Sequence, residues 1–331
     1  MKSKTIIIAV CFALALLLTG GIMLLVGRRE SNNKKQAYKT DFISMDTACT
    51  VTLYGDPDMS GIRSLVERLD RELDRYNEES EFYKFNSGSG ASLSGSSLEV
   101  YTQSKELYEK YGYVDITCGG LISLWGITGD DPKVPDDDAI KQELDKVGFD
   151  KIEQNGTRIN APLGTKLDAG AVAKGYALDR LKALLYEQKA DCAVVSLGSS
   201  TILYGQKPDG TPFNVGIKDP FSPDKLFATF ETNEAFVSTS GGYERFFEAD
   251  GKRYIHILDL TTGYPSESDL ASVTVITDSG IKSDFLSTAI FLAGSEDLHK
   301  YLDDDSIKVI AIDNSGKMYN SESLDGKITL K

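Results

Sequence analysis

The chain has 331 residues, 41% of them apolar and 26% charged, with a formal net charge of −14. That composition is ordinary for a folded domain and excludes wholesale disorder. Four of the 36 basic residues and none of the 50 acids fall in the first 29 positions, so the remainder carries −18, which argues against a nucleic-acid or anionic-membrane surface because both need a basic face.

Thr5 to Val26 is 22 residues without a charge, long enough to cross a hydrocarbon core of about 30 Å as a helix. The apolar run meets Arg28-Arg29 with no small-residue cleavage site, so residues 1–29 are expected to be an uncleaved membrane anchor, with a cleaved signal segment as the alternative. Cys11 lies mid-span and makes a poor lipoprotein cysteine. Lys2 and Lys4 precede the span, and Arg28, Arg29, Lys34, Lys35 and Lys39 follow it. Taken literally, that asymmetry favours a cytoplasmic domain. Residues 30–40 are polar and are expected to form a tether, leaving 41–331 as the functional domain.

In chain order, Ala48 to Tyr54 alternates as a strand. Ile62, Leu65, Val66, Leu69, Leu73 and Tyr76 recur at helical spacing, predicting a helix over 61–76 with Ser60 as its cap. A small-residue loop, 86–97, leads into a helix over 98–111. A third helix is expected over 136–147, with acids in its first turn. A hairpin is expected over 151–160, closed by Asn155-Gly156. Then come a helix over 170–188, a buried strand over 191–196, strand-like sequence from 213 to 276, an apolar helix over 284–292, a short helix near 296–302, and a closing hairpin over 307–319. Strands and helices do not alternate regularly, so the fold is expected to be α+β, with mixed sheets and flanking helices. Cys49, Cys118 and Cys192 are odd in number and far apart, which indicates buried thiols rather than a disulfide framework or a zinc site.

There is no GxGxxG, GxxxxGK[ST] or GxSxG, so a Rossmann or P-loop nucleotide site is not expected. Of two histidines, His299 reads as a surface residue. His256, three residues before Asp259 in a strand-like run, is either a structural histidine or a base. Lys166 to Tyr176, KLDAGAVAKGY, sets a strand end at Asp168 against small residues and Lys174. Such a helix start either packs closely on a neighbour or lets backbone N–H groups and a lysine approach a phosphate. Asp284 and Thr288 stand at i and i+4, on one side of a helix. A carboxylate and a hydroxyl form a hard-oxygen pair suited to Mg²⁺.

Seven stretches, in this order, resemble the ApbE family of FAD:protein FMN transferases: MDTACTVTLYG, LDRELDRYNEESEFYKFN, VDITCGGLISLWG, KLDAGAVAKGYALDRL, VVSLGSSTILYGQKPDGTPFNVGIKDP, STSGGYERFFEADGKRYIHILDLTTGYP and SVTVITDSGIKSDFLSTAIFLAG. The resemblance implies a T-fold-related, two-lobed catalytic domain. It implies Mg²⁺-dependent transfer of FMN from FAD to a Thr or Ser hydroxyl of a target flavoprotein carrying a D-x-x-[ST]-G-[AS]-T-like segment, with release of AMP. A FAD pyrophosphatase or a non-catalytic FAD-binding protein are the alternatives. The family's extracytoplasmic habit implies a domain outside the cytoplasm, anchored in the cell membrane, despite the charge count. Matched position by position, the metal falls on Asp284, Thr288 and the carbonyl of Ala171, with Ser287 at a further position that is sometimes acidic. FAD falls on Met45, Tyr76, Tyr113, Val114, Asp115, Asp168, Lys174 and Leu258, and the base that deprotonates the acceptor hydroxyl is His256. The chain departs from the family pattern at Asp46 (for glycine), Ser199 (for glycine) and Leu260 (for proline). It contains no acceptor segment of its own, which implies that the target is another protein.

Overall fold

A computed structural model describes residues 37–331 apart from 56, 57 and 89; the expected anchor and most of the tether lie outside the described residues. Among the described residues no helix is long and apolar enough to cross a membrane.

The centre is one eight-stranded antiparallel sheet whose spatial order is its chain order: β1 (Ala37–Ser44), β2 (Thr47–Tyr54), β3 (Cys192–Leu197), β4 (Ser200–Gly205), β5 (Ala235–Gly241), β6 (Leu270–Thr277), β7 (Lys308–Asp313) and β8 (Met318–Asn320). Smaller two- and three-stranded sheets surround it, and the fold is α+β as expected. The strand β1 corrects one boundary, because it starts at Ala37, inside the segment read as tether. Its run AYKTDFIS buries only Phe42 and Ser44, so it lacks the apolar alternation that makes a strand visible in sequence.

Alternation sends successive side chains of the sheet to opposite faces. Val51, Val195, Ile202, Phe236, Val275 and Val309 join the core beneath the helices. Val194, Leu203, Val237, Ile276 and Ile310 join a second core beneath the sheet formed by strands 213–219, 222–232 and 328–330. The helix face is covered chiefly by α1 (Met59–Leu73), α2 (Gly95–Tyr111), α4 (Ala173–Glu187) and α5 (Gly280–Asp297), with α3 (Gly119–Trp125) to one side. Asp58, not Ser60, caps α1 by accepting from the Gly61 N–H. Helix α3 was not visible as a helix in the sequence, since GGLISLW is short and opens on two glycines. The helix α5 is buried around most of its circumference, as an evenly apolar helix must be. A third, small core of Leu121, Trp125, Ile140 and Leu258 lies below a separate hairpin, 246–249 with 252–255. All three described cysteines are free thiols.

Candidate active site

The site is built where α4 starts against the start of α5. A Cβ on Gly175 would stand 2.2 Å from the Gly280 carbonyl oxygen, and one on Gly280 2.2 Å from that of Gly175, so only glycine at both positions lets the backbones meet. Asp179, a turn along α4, accepts from the N–H groups of Gly280 (2.7 Å) and Ile281 (2.8 Å). Burial raises its carboxyl above the ordinary range, and those N–H bonds oppose the rise. This close crossing brings Asp284, 5% exposed, to the GAVAKG turn. Its Oδ2 accepts from Gly175 N–H at 2.9 Å and lies 3.6 Å from Lys174 Nζ. Its Oδ1 accepts from Ser200 Oγ on β4 at 2.8 Å. Thr288, one turn further along α5, shares a hydrogen bond with Ser240 Oγ of β5 at 3.0 Å, and Ser240 also meets Ser287 Oγ at 2.9 Å.

Asp284, Thr288 and the Ala171 carbonyl are the residues that would hold a divalent ion. The donors are hard oxygens: one carboxylate, one hydroxyl and a carbonyl. In a regular helix the Gly175 N–H would donate to the carbonyl of Ala171, four residues back. Here it donates to Asp284 instead, while its neighbour Tyr176 makes the usual bond to Val172. The Ala171 carbonyl thus loses its helical donor next to the carboxylate. Among the described residues no three His, Cys, Asp or Glu side chains gather at one point. The set therefore fits a weakly ligated Mg²⁺ that completes its shell with water and phosphate oxygens, and does not fit an all-protein cage.

Asp168 ends the preceding strand-like run. Its Oδ1 accepts from Gly170 N–H at 2.7 Å, and its Oδ2 pairs with Arg75 at 2.7 Å. Arg75 also donates to the Gly119 carbonyl at 2.8 Å and to Ser123, and its guanidinium lies 5.1 Å from the Tyr76 ring centre. Tyr76 itself is 70% exposed, a flat ring held from behind. Met45 and Asp46 form the two-residue turn between β1 and β2, both with φ +53°. Asp70 steadies the turn by accepting from Met45 N–H (2.8 Å) and Ser44 Oγ (2.7 Å). Aspartate tolerates left-handed backbone better than most residues, which explains how Asp46 stands where a glycine is usual. At Gly198, φ +61°, a Cβ would come within 2.5 Å of Thr47 Oγ1. Of the glycine pair usual there, this chain keeps the member whose geometry requires it.

His256 follows the separate hairpin. Its Nδ1 lies 3.1 Å from the carbonyl oxygen of Arg245. A carbonyl only accepts, so Nδ1 carries the proton and Nε2 presents a lone pair. Burial chiefly, and the charges of Arg245 and Lys174, lower its pKa to about 4. The ring is neutral at pH 7. Beside it Ile122, Trp125, Ile127, Thr128 and Leu258 line a small, open concavity. Glu244, exposed to solvent, lies in electrostatic reach of Lys174, Lys218 and Arg245.

Two side chains among the candidates point elsewhere. The Tyr113 hydroxyl donates to Asp297 on the last turn of α5 (2.9 Å), far along the helix from Asp284. The Asp115 carboxylate is buried and accepts from Thr117 N–H (2.8 Å) and Phe149 N–H (3.0 Å), so both of its oxygens are committed to the fold. Burial raises its pKa against those bonds. Val114, between them, is buried as well. This segment can offer a ligand only its backbone and one face of the Tyr113 ring. Conversely Arg75, Asp179, Ser200, Ser240 and Glu244 were missed in the sequence. Their partners lie tens of residues away or more, and no spacing rule reaches that far.

A carboxylate, a lysine and a diverted helix start, with a neutral imidazole in electrostatic reach of the lysine, are the parts that phosphoryl chemistry uses. Residues 45–311 match the model of the ApbE family, and the chain belongs to that family. It is 36% identical over 202 residues to a FAD:protein FMN transferase of Treponema pallidum, covering 56% of this chain and 56% of that one. The chain spans little more than half the length of the first curated relatives it matches. Its fold is similar to the crystal structure of the ApbE protein of Thermotoga maritima (TM-score 0.81, 28% identity, 87% of this chain and 98% of that one). It is also similar to the flavin transferase ApbE of Vibrio cholerae (TM-score 0.78, 26% identity, 88% and 98%).

Proposed function

We propose that this protein transfers FMN from FAD to a threonine or serine hydroxyl of a target flavoprotein, with Mg²⁺ bound at Asp284, Thr288 and the Ala171 carbonyl. Curated relatives named FAD:protein FMN transferase support the flavin substrate. The observation that carries the chemistry is the packing of Asp284 onto the GAVAKG turn through Gly175 and Gly280, which gathers hard oxygens, Lys174 and a helix start in one place. When bound, Mg²⁺ neutralises charge on the pyrophosphate and on the leaving oxygen.

The chain's own residues do the rest. Lys174, beside Asp284, holds phosphate oxygens. Tyr76 and the Met45–Asp46 turn offer surfaces to the ring systems. His256 Nε2 takes the acceptor proton as the hydroxyl oxygen bonds to the FMN phosphorus. The phosphorus–oxygen bond to AMP breaks, AMP leaves, and the proton on Nε2 passes to solvent. A pKa of about 4 keeps the base unprotonated at neutral pH, at some cost in proton affinity. We further propose that residues 1–29 anchor the chain in the cell membrane with 41–331 outside the cytoplasm, a placement that suits targets in membrane-bound redox systems.

Incubating the purified full chain with FAD, Mg²⁺ and a protein carrying a D-x-x-[ST]-G-[AS]-T segment, followed by mass spectrometry, tests the reading. An acceptor heavier by one FMN is expected. Free FMN and AMP with unmodified acceptor would make the protein a pyrophosphatase, and unchanged FAD would make it a binding protein.

A further inference from the structure

Arg245 bridges two parts of the site that no strand pairing joins. The hairpin 246–255 is a separate two-stranded sheet, and His256 follows it directly. Arg245 stands at the base of that hairpin. Its guanidinium donates to the carbonyl oxygen of Asp46 at 2.6 Å, on the strained β1–β2 turn. Its own carbonyl accepts from the backbone N–H of His256 at 3.1 Å and meets the ring at Nδ1 at 3.1 Å. One residue thus grips the Met45–Asp46 turn with its side chain and the histidine with its backbone.

We propose that Arg245 is a positioning residue for the transfer reaction: by clamping the Asp46 carbonyl it fixes the carbonyl that orients the His256 ring, and so sets Nε2 relative to the flavin-side turn. The inference rests on the transferase reading above for its chemistry, and on the hydrogen bonds alone for its geometry. A side chain truncated to methionine fills similar space but has no donor. The Asp46 carbonyl then loses its partner, the hairpin base is free to shift, and the imidazole loses its fixed acceptor. A misplacement of about 1 Å at a base costs up to about 10²-fold in rate. Lysine reaches the same carbonyl with a single donor. The charged groups around the ring are Arg245 and Lys174, with Glu244 in reach of both, so lysine at 245 also preserves the local charge.

The test compares Arg245→Met and Arg245→Lys with the parent chain. Arg245→Met is expected to lower kcat by about 10- to 10²-fold with a smaller change in KM for FAD, and Arg245→Lys to restore most of it. A purely structural role would instead lower the melting temperature of both variants and leave kcat per folded molecule untouched. A second measurement needs no FAD. His256 and His299 are the only histidines, so in a His299→Gln background one imidazole is followed by NMR. It is expected to carry its proton on Nδ1 and titrate near 4 in the parent, and to titrate higher with a mixed tautomer in Arg245→Met. Wild-type kcat with an unmoved imidazole in Arg245→Met would overturn the proposal. A parent chain that neither transfers nor splits FAD would sink the transferase reading, and the imidazole measurement would still decide whether Arg245 orients the ring. Should Arg245→Met fail to fold, Arg245→Gln carries both readouts.

Discussion

The two faces of the central sheet are made by alternate residues of the same strands, and they solve different problems. Towards the strands 213–232 the sheet presents Val194, Leu203, Val237 and Ile310 to Phe213, Val215 and Phe230. Towards the helices β4 and β5 present, beside Ile202 and Phe236, the hydroxyls of Ser200, Ser238 and Ser240, which reach Asp284, Ser283, Ser287 and Thr288 on α5. Apolar packing is non-directional and forgiving of shape. A buried hydroxyl or carboxylate must be answered by a partner at hydrogen-bond distance. The difference teaches that the helix face uses directional contacts to hold α5 in one register, which fixes Asp284 against the GAVAKG turn, while the other face draws its stability chiefly from apolar packing. Disturbing the first should cost activity, and disturbing the second should cost stability alone.

The sharpest break is Asp284→Ala. Metal-dependent transfer should fall to background at saturating FAD and Mg²⁺, and EDTA should do the same to the parent. Persistence of transfer in the variant would remove the carboxylate from the mechanism. His256→Ala should cost about 10² to 10⁴ in kcat, measured by acceptor flavinylation, because it deletes the base without touching α5. The parent's kcat/KM should hold level from neutral pH downward and fall only near pH 4, where the ring of His256 protonates. An acid limb near 6.5 would mean an unperturbed histidine. The same lowered pKa has a stability sign. The unfolded chain takes the proton first, so this residue's contribution is whole above about pH 6.5 and is lost as pH falls towards 4.

How much of this was legible in the sequence follows the same division. Periodicity found α1, α2, α4 and the buried strand β3, because each buries a regular apolar stripe. It missed β1, whose solvent-facing residues leave no stripe, and the short α3, whose glycine start is set by the close approach of Gly119 to the Lys166 and Leu167 carbonyls. Asp284 and Thr288 were legible as an i, i+4 pair, Lys174 from the glycine-rich run around it, and His256 from being one of two. The buried hydroxyls of β4 and β5 were not, since serine carries no periodic signal and its partner lies on another element. The sequence likewise offered no sign that Asp115 spends its carboxylate on the backbone of Thr117 and Phe149.

The apolar face is tested by Phe230→Ala. Phe230 is 1% exposed, and such truncations cost about 3–5 kcal/mol, read by denaturant unfolding, while kcat per folded molecule should stay at the parent value. A fall in kcat would show that the two faces are not separable. Gly175→Ala acts on the other face, where overpacking costs about 1–3 kcal/mol or more, and it should lower transfer sharply. Its new methyl would stand 2.2 Å from the Gly280 carbonyl oxygen and 2.7 Å from Asp284 Cβ. Equal losses of activity for Phe230→Ala and Gly175→Ala would break the comparison.

The smallest effect discriminates most finely. Ser240 Oγ meets both Ser287 Oγ and Thr288 Oγ1. In Ser240→Ala, Ser287 keeps its bond to the Asp284 carbonyl (2.9 Å), but Thr288 loses the partner that turns its hydroxyl. The net stability change should be about 0.5–1.5 kcal/mol. The other face offers a matched control in Thr201, whose hydroxyl donates to Ser196 at 2.9 Å. Thr201→Val should cost a similar amount. If Thr288 ligates Mg²⁺ through an oxygen lone pair, its O–H needs Ser240 as acceptor. Ser240→Ala then raises the Mg²⁺ concentration for half-maximal transfer and leaves kcat at saturating Mg²⁺ near the parent value, whereas Thr201→Val leaves both unmoved. A Mg²⁺ requirement that shifts equally in the two variants would assign Thr288 to packing and leave Asp284 and the Ala171 carbonyl as the ion's protein ligands.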